Sequence, residues 1–144
     1  MIPPRPVLRV LWRVDRAVDR LTGGRFDRLR AGPATLRLIT RGRRSGEPRV
    51  NGVYYVADGE RWAVVPSNAG STREPAWWLN LQADPNARVR VGTVEYAARA
   101  RVATPDEERR LWPRLEAMLP AYREYRAVAG RAIPIVLLER GNGA

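Results

Sequence analysis

The sequence predicts a mainly β (α+β) fold: six short antiparallel strands closing toward a small barrel, with one short helix, one kinked helix and a basic helix in front. Three observations lead there. Apolar and polar residues alternate in short runs, which is the period of a half-buried strand. Hairpin signals such as Asp58-Gly59 separate those runs. A length of 144 residues without an internal repeat fits one domain, and strands this short with tight turns favour a barrel.

Taken in order, residues 1–30 predict a basic amphipathic helix. Val7, Leu11, Val14, Val18 and Leu21 recur at helical spacing, with Leu8 and Trp12 beside them, and Arg9, Arg13, Arg16 and Arg20 cover the rest. Thr22-Gly23-Gly24 ends it. Such a helix either lies across the barrel with its arginines in water or rests on a membrane surface through residues 7–21.

Strands are predicted over 35–41, 49–57, 61–67, 88–92, 94–102 and 133–139, the last apolar enough to be buried on both faces. Pro75 opens a short helix, PAWWLNLQAD, that stops at Asp84-Pro85. Adjacent helical positions diverge, so one of Trp77 and Trp78 should pack inward and the other line a pocket or the surface. Asn80 reads as a cap or a bond to a loop. Thr104-Pro105-Asp106-Glu107 is a capping box with proline at the first helical position. The helix it starts must kink or break at Pro113 and Pro120, each of which lacks an amide donor. The carboxylates at 106–108 are explained by that helix start, and no spacing suggests a metal site.

Composition narrows the chemistry. All 26 cationic residues are arginine, and there is no His and no Cys. That excludes a Ser-His-Asp triad, thiolate chemistry and a Schiff-base lysine, so hard chemistry would have to come from a cofactor. Zero cysteine suits a reducing cytoplasm. Arginine interrupts every early apolar run, so neither a secretory leader nor a bilayer span is expected. A formal net charge of +11 calls for an anionic partner.

The sharpest candidate is Thr35–Arg49, TLRLITRGRRSGEPR. Gly42 and Gly46 bracket a turn and supply positive-φ freedom, while Arg43, Arg44 and Arg49 crowd guanidinium groups around it. Such a turn suits a phosphate or carboxylate; a hairpin with solvated arginines is the plain alternative. Ser67-Asn68-Ala69-Gly70-Ser71 is a second candidate, a small-residue loop whose N–H groups can face a ligand. Tyr122 and Tyr125, three apart after Pro120, can stack on a ring or donate a proton, or simply pack.

In this order LRLITRGRRSGEPRV, VYYVADGERWAVVPSNAG, EPAWWLNLQADP, TPDEERRLWPRL…LPAYREY and IPIVLLE resemble the deazaflavin-dependent nitroreductase family. The resemblance spans about Leu36 to Glu139 and implies a split β-barrel of the FMN-binding-like type over 35–140. It implies an enzyme that uses reduced coenzyme F420 to pass a hydride to a quinone, a nitroaromatic or another activated double bond. FMN is the alternative cofactor, with fewer phosphates for so many arginines; a non-enzymatic anion- or nucleic-acid-binding module is the alternative function. Within the resemblance, Arg43, Arg44 and Arg49 match the motif for the cofactor's phosphate and glutamate tail. Tyr54, Ser67 and Asn68 match positions near the cofactor, and Trp77, Tyr122 and Tyr125 match the substrate pocket. Tyr122 or Ser67 would polarise or protonate the acceptor, with no metal and no nucleic acid involved. A cytoplasmic monomer or homodimer is implied, either free or peripheral at the inner face of the cell membrane. The chain differs from the family's common Ser-Lys-Gly-Gly loop in having Ser67-Asn68-Ala69-Gly70, and carries Arg44 where lysine is usual.

Overall fold

The alternation read from the sequence becomes a sheet in the computed structural model, which describes residues 33–141; the N-terminal helix expected over 1–30 lies outside the described residues. The strands are β1 (Thr35–Arg41), β2 (Pro48–Tyr54), β3 (Val56–Asp58), β4 (Arg61–Val64), β5 (Asn86–Val91), β6 (Val94–Val102) and β7 (Val136–Arg140). The helices are α1 (Ala76–Ala83), α2 (Pro105–Met118) and α3 (Ala121–Val128), with a 3₁₀ turn at Asn68–Gly70. Strand order is β2-β1-β5-β6-β7-β4-β3, with every neighbouring pair antiparallel.

Seven strands replace the six expected, because the run 49–57 divides at Tyr55. Its two parts lie at opposite ends of the strand order, joined by that one residue. The sheet must therefore curl until its ends meet. Tyr55 N–H still bonds Ala34 O at 3.1 Å, extending the β1 ladder, and Val56 then pairs with Ala63 of β4. A period-2 pattern passes through such a bend unchanged, which is why the sequence shows one strand.

The sheet separates two cores. Val64, Val136 and Leu138 face Leu36, Leu38, Val89, Trp62, Trp77, Trp78 and Leu81. Their neighbours Ala63, Val65, Ile135 and Leu137 face Leu111, Trp112, Leu115 and Tyr122 from the helices. β7 is thus buried on both faces, as its apolar run predicts. Truncating a fully buried leucine such as Leu111 or Leu137 would cost about 2–5 kcal/mol.

The capping box forms. Thr104 Oγ1 accepts from Glu107 N–H at 3.3 Å, and Thr104 N–H donates to Glu107 Oε1 at 2.9 Å. Glu107 also bonds Arg61 and Arg101, while Asp58 bonds Arg61 and Arg110. These carboxylates tie α2 to the sheet. The helix is continuous through Pro113 and ends at Leu119, which is extended (φ −136°, ψ 92°), as the residue before a proline prefers. Of the two prolines expected to disturb it, Pro120 breaks it into α2 and α3.

Candidate functional site

The arginine turn joins β1 to β2. Gly46 takes φ +71°, and its N–H bonds Gly42 O at 2.8 Å; Gly42 N–H bonds Glu47 O at 2.8 Å. Positive φ is confined to Gly46 in this pair. Gly42 is needed for closeness instead, since a Cβ there would sit 2.8 Å from Ser45 Oγ and 3.1 Å from Glu47 O. Ser45 Oγ accepts from Glu47 N–H at 3.1 Å and from Arg49 Nη2 at 3.2 Å. Arg44 is exposed and has no bonding partner among the described residues.

Arg43 is held from below by α1. Asn80 Oδ1 accepts its backbone N–H at 3.2 Å and its Nη1 at 3.0 Å, while Asn80 Nδ2 donates to Thr40 Oγ1 at 3.1 Å. Asn80 and Thr40 are 3% and 2% exposed, so the bond between them is dry, while Arg43 reaches the surface. The bond to a loop expected of Asn80 thus lands on the arginine turn. The signal was a lone amide in the apolar run WWLNL, which shows that a partner is required but not which one.

The loop after β4 has unusual backbone. Ser67 is right-handed (φ −75°, ψ −29°), and Asn68 and Ala69 follow at φ 46° and 54°. A right-handed then left-handed pair turns successive N–H groups to one side, forming an anion-binding concavity. Left-handed backbone costs about 1–2 kcal/mol per non-glycine residue. The Asn68 side chain bonds within its own loop, Nδ2 donating to Arg73 O at 3.0 Å. Gly70 meets α3 so closely that a Cβ would lie 3.1 Å from Val128 Cγ2 and 3.2 Å from Tyr125 Cδ1. The tyrosine helix and the loop therefore pack as one unit.

Tyr122 is buried, and its ring meets Tyr125 edge-on with centroids 6.3 Å apart. Burial, reinforced by the nearby phenols of Tyr54 and Tyr125, pushes its pKa up to about 12. It is a neutral donor at physiological pH, never a base. Tyr54 is 41% exposed at the far end of β2, about 16 Å along the strand from Arg49. Ser67 is buried beside the loop's turn. The expected split between the two tryptophans does not occur. Trp77 and Trp78 are both buried in the barrel core, because the curled sheet leaves apolar residues on both sides of α1. One further side chain, Arg131, gathers the loop's carbonyls; an arginine among so many carried no sequence signal.

Tyr54, at the far end of β2, neighbours Tyr122, which pairs with Tyr125, and the loop's Gly70 rests on Tyr125; Arg43, Arg44 and Arg49 lie at the turn into β2. No group of acidic side chains among the described residues could hold a metal.

Residues 10–140 match the family model described as F420H(2)-dependent quinone reductase. A quinone reductase of that name from Mycobacterium tuberculosis (strain H37Rv) is 33% identical over 134 residues, covering 90% of each chain. A second M. tuberculosis relative, described as a putative F420H(2)-dependent quinone reductase, is 34% identical over 72% of this chain and 87% of its own. Among solved structures, an F420-H2 dependent reductase superposes with a TM-score of 0.67 at 27% identity, covering 73% of this chain and 93% of its own.

Proposed function

The chain belongs to the F420H(2)-dependent quinone reductase family, and from that premise we propose that it binds coenzyme F420 and reduces a quinone. One observation carries the reading: β2 runs from an arginine turn to Tyr54, beside Tyr122 and Tyr125, on which a loop of right- then left-handed backbone rests. The donor set fits the cofactor's chemistry. A long ligand with an anionic tail and a flat ring needs cations at one end and aromatic and N–H groups at the other.

When bound, the reduced deazaflavin supplies the hydride. The protein's own residues then bind, orient and polarise. Arg44 and Arg49 take the anionic tail, and Arg43, fixed by Asn80, sets the angle of the turn. The N–H groups of Ser67, Asn68 and Ala69 take a phosphate oxygen or ring carbonyl. Tyr54 and Ser67 border the ring. Tyr122, kept protonated by burial, donates a hydrogen bond that polarises the quinone oxygen. Tyr125 lines the acceptor pocket, and Trp77 backs it from within the core.

The curled sheet suits a split barrel of the FMN-binding-like type. FMN itself carries one phosphate and would leave most of the arginine turn unused. Nitroaromatics are a second acceptor class for the same pocket. No helix among the described residues is long and apolar enough to cross a membrane. Contact with the inner face of the membrane through residues 7–21 belongs to the proposal, supported by their basic amphipathic pattern; co-sedimentation with anionic vesicles checks it.

The test is titration of oxidised F420 by its own fluorescence at near-physiological salt, with FMN and single-stranded DNA as competitors. Oxidation of reduced F420 with a menaquinone analogue follows. Saturable binding that neither competitor displaces, with quinone-dependent turnover, is expected. No binding, or binding lost at modest salt, would remove the cofactor assignment.

A further inference from the structure

Arg131 lies between α3 and β7, outside every motif discussed above. Its Nε donates to Ser71 O at 3.1 Å. Its Nη2 donates to Pro66 O at 3.0 Å, Ser67 O at 3.1 Å and Arg73 O at 3.3 Å. Two hydrogens on Nη2 thus serve three acceptors. Nη1, meanwhile, is buried with no acceptor among the described residues. The edge that carries Nε and Nη2 is the one committed to the loop.

That edge organises the segment 66–73. Four carbonyls turned toward a single cation must point away from the opposite face of the loop, where the Ser67–Asn68 pair presents its N–H groups. The same loop rests on Tyr125 and Val128 through Gly70. Two consecutive left-handed non-glycine residues would otherwise relax toward ordinary backbone. A planar fork of fixed donors holds several carbonyls in one geometry, whereas the three rotatable donors of a lysine on a flexible stem hold them less firmly.

We propose that Arg131 is the positioning residue of the cofactor loop, presetting the N–H groups of Ser67 to Ala69 for the anion and locking the loop to the tyrosine helix. This rests on the reading of that loop as part of the F420 site. The closest alternative, a packing role alone, would leave the loop ordered when the guanidinium is removed.

Two measurements on the full chain decide it. The first is backbone amide hydrogen exchange in the protein without cofactor, comparing wild type with Arg131→Ala and Arg131→Lys. The amides of Gly70 and Ser71, which bond Ser67 O and Asn68 O, should exchange at least about ten-fold faster in Arg131→Ala. Those of β7 should be unchanged. The second is F420 affinity, which should weaken about ten-fold in Arg131→Ala, with KM for F420 rising more than kcat falls. Arg131→Lys should recover part of the affinity, and it carries the test if Arg131→Ala does not fold. Loop exchange unchanged in both variants would overturn the inference, as would faster loop exchange with wild-type affinity. Wild-type protein that binds no F420 would instead sink the functional reading and the cofactor half of this inference with it.

Discussion

Replacing Asn80 by alanine tests how the arginine turn is held. Three hydrogen bonds are lost: to Arg43 N–H, to Arg43 Nη1 and to Thr40 Oγ1. Neutral bonds contribute about 1 kcal/mol each and a charged one somewhat more. Arg43 is exposed, so water recovers part of its share. The Thr40 hydroxyl is 2% exposed, and it would lose a donor in a dry site. The sum is roughly 2–4 kcal/mol of stability, or a fall in Tm of roughly 10 °C for a chain of this size. A loosened Arg43 should also raise the Kd for F420 about five- to ten-fold. Asn80→Asp separates the two effects. It keeps the acceptor for Arg43 and so retains more stability, yet its charge opposes an anionic ligand, and affinity should fall at least as far. Thermal melts and fluorescence titration read both. An alanine variant within about 0.5 kcal/mol of wild type, with unchanged affinity, would refute the claim that Asn80 sets the turn.

Three further outcomes are expected. Arg44→Ala combined with Arg49→Ala should leave Tm nearly unchanged, since among the described residues Arg44 bonds nothing and Arg49 bonds Ser45 alone. F420 affinity should drop by about ten-fold or more and its salt dependence should flatten; equal affinity would take the turn out of the site. Tyr122→Phe should lower kcat for quinone more than F420 affinity. In wild type the Tyr122 phenol should ionise near 12 when followed by ultraviolet titration, so its contribution to rate stays flat until well above neutral pH. Because burial raises this pKa above 10.0, stability declines as pH climbs from that value toward 12. Glu107 behaves in the opposite sense: Arg101 first, then the Thr104 N–H, hold its carboxyl far below the ordinary 4.5. Its stabilisation is complete above pH 4.5 and is lost as pH falls toward the folded value. Glu107→Gln should therefore lower Tm at neutral pH and flatten the acid limb of a Tm-against-pH curve; a limb as steep as wild type would place that acid sensitivity elsewhere.

Local physics made much of the molecule readable before its structure. Alternation marked β1, the capping box marked the start of α2, and Asp58-Gly59 marked the β3–β4 hairpin, because each depends on residues a few positions apart. The arginine turn and the missing His, Cys and Lys pointed to an anionic, cofactor-borne chemistry for the same reason: they are properties of composition and short spacing. The long-range partners were invisible. Nothing near Tyr55 says that its strand leaves β1 for β4, and nothing near Trp77 and Trp78 says that both will be enclosed by a sheet that curls. Gly42 was assigned a dihedral role when close approach by Ser45 and Glu47 was the constraint. Asn80 and Arg131 show the division most clearly. Asn80 was legible as an amide that burial would force to pair, whereas Arg131 carried no signal, and their partners lie 37 and about 60 residues away in the chain. Composition and local pattern determined which chemistry this protein can perform; only the closure of the sheet decided which side chains hold the turn and the loop in place to perform it.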